Sequence, residues 1–505
     1  MNSTIGYPDF IENADIAGNP FCMSSIKWAG WLSLWLVLSG PTVSAQIRVP
    51  RLVSDGMVLQ RDIPLRIWGF ASPGEKVTVK FAGETASGAA DDAGKWVVHL
   101  APKKAGGPFT MDIDGINHVW IKNILVGEVW VLAGQAGMAM PMEKVKDKYV
   151  DLIAKAGDAP IRQFLVPLRY DFKEPRNNPA PGAKWEPATP GSVLSFSALG
   201  YLFARALYAE YKIPIGLINV CAPDAPAEAW LSRDALRVFP EYAAVAVRYV
   251  DSTFKDGTGP ADAMAPGGLF NGMIAPVCTQ TVRGIIWYQG EANVSKPAEY
   301  GSLLPLLIND WRRNWNEGGL PFLYIQAPAN GQVKDAAGES RWAELREAQR
   351  MALSLPATAM IVSADLGDAG DVPGQNREEL SRRLLLSAEN IAYGKKNFIS
   401  SGPLYHSMKV HGDRVHINFN EVNTGLIVKG GGDLKGFTIA GEDGHFVPAQ
   451  ASIDGKIVVV WSEQVPHPVT VRYAWADNPA GANLYNRDIL FKDGLPAPSF
   501  VGRAR

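Results

Sequence analysis

Four short stretches hold the residue types and spacings that could do chemistry: Gly134-Gln135-Ala136-Gly137-Met138, Ala222-Pro223-Asp224-Ala225-Pro226, Gln289-Gly290-Glu291-Ala292-Asn293 and Asp371-Val372-Pro373-Gly374. Taken singly, each could be a loop; nucleophilic acyl transfer is the chemistry to hold them against, and it needs a nucleophilic oxygen, a His to take and return its proton, and hydrogen-bond donors aimed at the developing oxyanion. The first stretch has the form of a nucleophile's pedestal: the apolar run from Val126 to Leu132 reads as a buried strand that breaks at Gly134 into a turn, the edge at which hydrolases present a nucleophile. The turn itself carries Ala136 and Gly137, with no Ser, Cys, Thr, Asp or Lys between Ala133 and Pro141.

These stretches have to be positioned by something, and the surrounding pattern says what. From Val126 to about Lys396, short apolar runs ("GEVWVLAG", "IPIGLINV", "RGIIWYQG", "FLYIQAP", "AMIVSADLG") alternate with longer stretches of helical period such as "SALGYLFARALYAEY" and "WAELREAQRMALSL". That alternation predicts a parallel sheet covered by helices, in which a ligand crevice lies beyond the carboxyl ends of the strands. All four stretches fall at such ends. Residues 47 to 125 instead alternate apolar and polar positions between Gly, Asp and Pro turns, and the same pattern returns from about Ser400 ("RVHINF", "GKIVVVW", "PVTVRYAW"), which predicts antiparallel β regions on either side. A chain of 505 residues, 47% hydrophobic and 20% charged, has room for two or three domains. The expected division is 1–45 leader, 46–125 N-terminal β domain, 126–398 α/β domain and 399–505 C-terminal β region.

The leader is read from Lys27, the 11-residue apolar run "WAGWLSLWLVL" and the segment "SGPTVSA", with Val43 and Ala45 spaced as a signal peptidase accepts before Gln46. Met23 stands where such a signal begins, so residues 1 to 22 read as an over-long start. The run is too short for a span, which takes roughly 20 residues. A secreted or periplasmic protein, with no membrane span once the signal is cleaved, is expected.

Composition excludes several partners and cofactors. The formal net charge of −2 and the absence of a Lys/Arg-rich run argue against nucleic acid. Of three cysteines, Cys22 leaves with the leader, while pairing of Cys221 with Cys278 stays open. The seven histidines are scattered without zinc spacing and none falls between 126 and 398; His411 and His416, flanking Gly412-Asp413-Arg414, read as hairpin neighbours with surface or packing roles. "KGGGDLKG" at 429–436 lacks the Gly-Lys-Ser/Thr end of a phosphate loop and reads as a turn. No metal and no cofactor are expected.

Taken together, the stretches resemble the sialate O-acetylesterase family of the SGNH (GDSL-type) hydrolase superfamily. The resemblance runs through "RVPRLVSDGMVLQRDIPLRIWG", "KNILVGEVWVLAGQ", "PIGLIN", "NGMIAPV", "RGIIWYQGEAN", "WAELREAQ", "GPLYHSMKV" and "VRYAWADNP". It implies an α/β fold: an SGNH-hydrolase-like three-layer domain with a parallel sheet, flanked by N-terminal and C-terminal β-sandwich-like regions. It also implies an exported carbohydrate esterase that removes acetyl groups from sugar hydroxyls.

The resemblance further implies roles by position. The family's nucleophile is the Ser of a Gly-Gln-Ser-Asn-Met turn, where this chain has Ala136. Its base is the His of Asp-Ile-His-Pro; the matching positions are Asp371, at the triad carboxylate, and Pro373, which cannot take a proton. The oxyanion donors are the nucleophile's own N–H, which Ala136 still offers, a Gly of Trp-Gly-Gly-Thr-Pro, and the Asn of Gln-Gly-Glu-Ser-Asn. Asp224 stands at that Gly, beside Pro223 with no N–H, and Asn293 keeps its family identity. Gln135, Gln289, Gly290 and Glu291 sit where polar groups could face a sugar, or could equally hold the loops in shape.

Three functions stay in view: a non-hydrolytic glycan-binding relative, an active O-acetylesterase using displaced groups such as Ser295 or Asp224, and a structural partner in a cell-surface glycan assembly. The ligand expected is carbohydrate, either O-acetylated sialic acid or a plant or microbial glycan. Trp130, Trp230 and Trp287 could stack on a sugar but lie in apolar runs that favour the core. Met138, Met140 and Met142 read as core or rim packing. The Asn293-Val294-Ser295 sequon is discounted as a glycosylation site because Asn293 belongs to the oxyanion motif.

Overall fold

The structure is a computed structural model describing residues 46–251, 264–333, 338–367, 376–396, 399–487 and 494–504. The leader and the positions Asp371 and Pro373 lie outside the described residues.

Six strands build the central parallel sheet: β1 (His118–Gly134), β2 (Ile161–Leu165), β3 (Ile215–Cys221), β4 (Gly284–Tyr288), β5 (Phe322–Ile325) and β6 (Thr358–Ile361). They lie in the order β6-β5-β4-β1-β3-β2, and Trp185–Pro187 adds an antiparallel edge to β2. β1 runs straight across the change of sequence pattern near Val126. Its first half pairs antiparallel with Gly106–Asp114 of the N-terminal β region, and its second half is the centre of the parallel sheet. Burial changes along it accordingly: alternating up to Asn123, then continuous from Ile124 to Gly134. A strand covered on both faces has no solvent side on which to place polar residues, so it reads as one apolar run.

The two faces are filled by different helices. Trp130 and Leu132 pack with α1 (Ala198–Tyr211) and α4 (Arg377–Ile391), while Val129, Val131 and Ala133 pack on the other face with α2 (Pro297–Trp315) and α3 (Arg341–Met351). Each fully buried branched side chain in these layers contributes about 1.5–3 kcal/mol relative to exposure. The expected three-layer α/β arrangement is therefore present.

Toward the C-terminus, one antiparallel sheet of Leu404–His411, Arg414–Asn420, Ile457–Trp461 and Gln450–Asp454 and another of Val447–Pro448, Phe437–Ala440, Thr470–Tyr473 and Phe500–Arg503 share a core around Val415, Val460, Val471 and Phe500. His411 and His416 touch with ring centroids 4.6 Å apart, although the hairpin register sets His411 opposite Arg414 and His416 opposite Lys409. Cys221 and Cys278 are both free thiols, so the open pairing is resolved as absent.

Candidate functional site

The site is made by register. On the central strand, Gly134 lies opposite Cys221 of β3 on one side and opposite Tyr288 of β4 on the other. Three turns far apart in sequence therefore leave the sheet at one level, at the point where the strand order reverses, the position at which open α/β sheets bind ligands. Two backbone bonds lock the level: Gln135 N–H donates to the Tyr288 carbonyl at 2.8 Å, and Ala222 N–H to the Gly134 carbonyl at 3.0 Å. Gly134 has φ +128°, and a Cβ there would stand 2.1 Å from the Tyr288 carbonyl oxygen. Only glycine allows that approach.

Ala136 opens a single helical turn, Ala136–Ala139. Its N–H donates to the Pro223 carbonyl at 3.1 Å. The expectation that this amide remains on offer is therefore corrected: an acceptor from the neighbouring turn already holds it. Pro223 and Asp224 are exposed, and Ala136 is half-buried between them and the β4 turn.

Asn293 is 3% exposed and closely held. Its Oδ1 accepts from Gln289 Nε2 at 2.7 Å and from Ala227 N–H at 2.9 Å, and its Nδ2 donates to the Glu228 carboxylate at 2.9 Å. Glu228 is a member of the site that sequence reasoning missed; its only signal was membership of the "PAEAW" stretch. Gln135 and Gln289 are buried too. Gln135 Oε1 accepts from Gly290 N–H at 3.0 Å and from Ala292 N–H at 3.4 Å, tying the β1 turn to the β4 turn. The Gln289 carbonyl accepts from Tyr300 and from Gln349 Nε2, whereas Gln289 Oε1 is buried without a partner. Through these bonds Gln135 and Gln289 tie the loops together.

The field of the site is acidic. Burial pushes the Glu291 carboxyl up, and the nearby charge of Asp224 pushes it further. Burial likewise raises Glu228, opposed by its hydrogen bonds, including the one from Asn293. Below the turn lies a second missed residue, Arg377, the first residue of α4, whose guanidinium donates to the Gly137 carbonyl at 3.1 Å and lies 3.1 Å from the Met140 sulfur. Asn376 caps that helix through its side chain. Adjacency to the Asp371–Pro373 segment was the only sequence signal for Arg377.

The remaining expectations divide plainly. Trp130, Trp230 and Trp287 are fully buried, the last two in edge contact at 5.9 Å, so they are core. Met138 and Met142 are fully buried and Met140 is half-buried. Ser295 is exposed and its carbonyl accepts from Arg341. Among the described residues, no group of three or more His, Cys, Asp and Glu is arranged to hold a metal, and no helix is long and apolar enough to cross a membrane.

Residues 126–376 match the family model described as carbohydrate esterase, sialic acid-specific acetylesterase. The human sialate O-acetylesterase is 28% identical over 494 residues, covering 90% of this chain and 92% of that protein. The mouse sialate O-acetylesterase is 26% identical, covering 93% of this chain and 97% of that protein. Among solved structures, a carbohydrate acetylesterase from Xanthomonas citri superposes with a TM-score of 0.80 at 35% identity, covering 91% of this chain and all of that one.

Proposed function

Since this chain belongs to the sialate O-acetylesterase family of carbohydrate esterases, we propose that it keeps the family's strand-end pocket as a glycan-binding site and has given up the hydrolysis. The observation that carries this reading is the Ala136 amide. A methyl group stands at the nucleophile position, and the N–H beneath it is spent on the Pro223 carbonyl. An oxyanion forming there would meet a carbonyl oxygen as competitor, with the Asp224 carboxylate on the same turn. Electrostatic stabilisation of acyl transfer requires donors pointing at that charge, so the arrangement works against the reaction at two steps, attack and charge development.

What remains supports binding. The three turns are cross-tied by Gln135, Gln289 and Asn293, so the strand-end surface is preorganised and loses little ordering entropy when a ligand settles on it. Its carboxylates Asp224, Glu228 and Glu291 favour neutral sugars, with or without acetyl groups, over an anionic sialate. In the same proposal Pro373 vacates the base position beside Asp371, residues 23–45 direct export, and 46–125, 126–398 and 399–505 act as the three modules of the mature chain.

The test is direct. Purified protein is given 4-nitrophenyl acetate and O-acetylated sialic acid, and turnover is compared with buffer; rates equal to buffer are expected. Calorimetry with acetylated and deacetylated sugars then reads binding. Turnover above buffer would establish an active esterase with displaced groups, and absence of heat with every sugar would establish a structural role instead.

A further inference from the structure

The C-terminal β region contains a cleft of about 630 Å³ whose lining includes none of the strand-end residues described above. That volume lies within the range of small-molecule sites, about 300–1,000 Å³. Its wall includes Trp461, Gln450, Asp433, Lys435 and Thr438. Thr438 is the telling member: it is 1% exposed, and its hydroxyl is closed off from solvent with no hydrogen-bond partner among the described residues. A buried hydroxyl left unsatisfied is costly and rare in folded proteins, and this one, sealed from solvent as the wall stands, meets a ligand hydroxyl or amide only when the wall opens on binding.

The rest of the wall is built in advance. Lys435 N–H donates to Asn483 Oδ1 at 2.9 Å, and Asn483 Nδ2 donates to the Asp433 carbonyl at 3.0 Å, which pins the loop from 433 to 435. The Arg414 guanidinium stacks 4.5 Å from the Trp461 ring centroid and holds the indole in place. In the sheet, Trp461 lies directly opposite Gln450, so ring and amide are neighbours across two strands. One acid and one base leave the cleft without a dominant sign of charge.

An aromatic ring beside an amide, a hydroxyl and a balanced pair of charges is the chemistry that recognises a neutral oligosaccharide: the apolar face of a pyranose on the indole, its hydroxyls on Gln450 and Thr438. We propose that this cleft is a second carbohydrate-binding site, separate from the strand-end pocket, that takes two or more linked neutral sugars.

The experiment uses the whole chain and a panel of neutral tetrasaccharides of β-1,4-linked glucose, xylose and N-acetylglucosamine. Hydrogen exchange is followed by mass spectrometry as sugar is titrated, with affinities from calorimetry. Protection of peptides spanning 433–440 and 447–451 is expected with at least one sugar. Trp461→Ala should weaken that binding about tenfold or more, with Trp461→Phe retaining most of it. Thr438→Val separates recognition from folding, because it removes an unsatisfied hydroxyl: thermal stability should hold or rise while affinity falls several-fold. Protection confined to peptides at 134–140 and 289–293 would place all binding in the strand-end pocket and overturn the proposal. So would the absence of protection at 433–451 with all three sugars, or unchanged affinity in both Trp461→Ala and Thr438→Val.

Discussion

The Ala136 amide donates to the Pro223 carbonyl at 3.1 Å, so the turn that would present a nucleophile is hydrogen-bonded to the turn that would supply an oxyanion donor. Two positions that look separate in sequence are thus one contact in space. Restoring a hydroxyl at 136 leaves that contact in place.

Ala136→Ser alone should therefore give no esterase activity above buffer with 4-nitrophenyl acetate. In a serine hydrolase, loss of the His alone lowers kcat by about 10⁶, and Pro373 supplies no base. Adding Pro373→His, Pro223→Gly and Asp224→Gly should bring hydrolysis above the single variant only as far as the more flexible turn lets the carbonyl at 223 swing off the amide of residue 136. Gly137→Asn is best omitted, since a Cβ at 137 would come within 2.5 Å of the Tyr288 ring; adding it should lower the melting temperature of the combined variant.

Gly134→Ala should destabilise the chain by about 3 kcal/mol or more, from the strained φ and the collision with the Tyr288 carbonyl together. Urea denaturation measures this. A change under about 1 kcal/mol would mean that the turn can move away from β4, contrary to the locked register.

Arg377→Met keeps much of the side chain's volume and removes the charge that holds the Gly137 carbonyl. A cost of about 1.5–3 kcal/mol is expected for a hydrogen bond to a charged donor. The same denaturation series reads it, and reduced sugar affinity should accompany it if the Ala136 turn shapes the pocket.

Glu291 sets a pH dependence. Its folded-state pKa lies above the unfolded value because of burial and then Asp224, so the folded chain binds more protons across that interval. Stability contributed by this group is present at low pH and falls as pH rises through the interval. Glu291→Gln should flatten that slope. In binding, sialic acid should lose affinity as pH rises and Glu291 ionises, whereas a neutral sugar should show little change. Calorimetry over a pH series rising from the ordinary carboxylate range separates the two; a sialic acid affinity that stays flat while the Glu291 carboxyl titrates would show that it does not face the ligand.

Much of this site was legible in the sequence because its signals are local. The run after Ile124 is apolar whatever it pairs with, and Gly134 followed by Gln135 and Ala136 reads as a strand-end turn with a methyl group in place of a hydroxyl. Glu228 and Arg377 were not legible as site residues, since nothing in their own neighbourhoods says that one will meet Asn293 and the other will lie beneath Gly137. The three tryptophans fall on the legible side: Trp130, Trp230 and Trp287 have the chemistry to stack on a sugar, but their apolar runs favoured the core, and the layers of helices bury them there.

The amino-acid sequence by itself determined the alternation of strands and helices, the family pattern and the alanine at 136, because periodicity and side-chain identity do not depend on distant partners. The tertiary structure decided which groups are free to act. It set β1 between β3 and β4 with Gly134 level with Cys221 and Tyr288, and that register alone brought the Pro223 carbonyl onto the Ala136 amide. A backbone donor is available or spent according to what packs beside it, and adjacency of strands far apart in the chain is fixed only when the whole sheet closes.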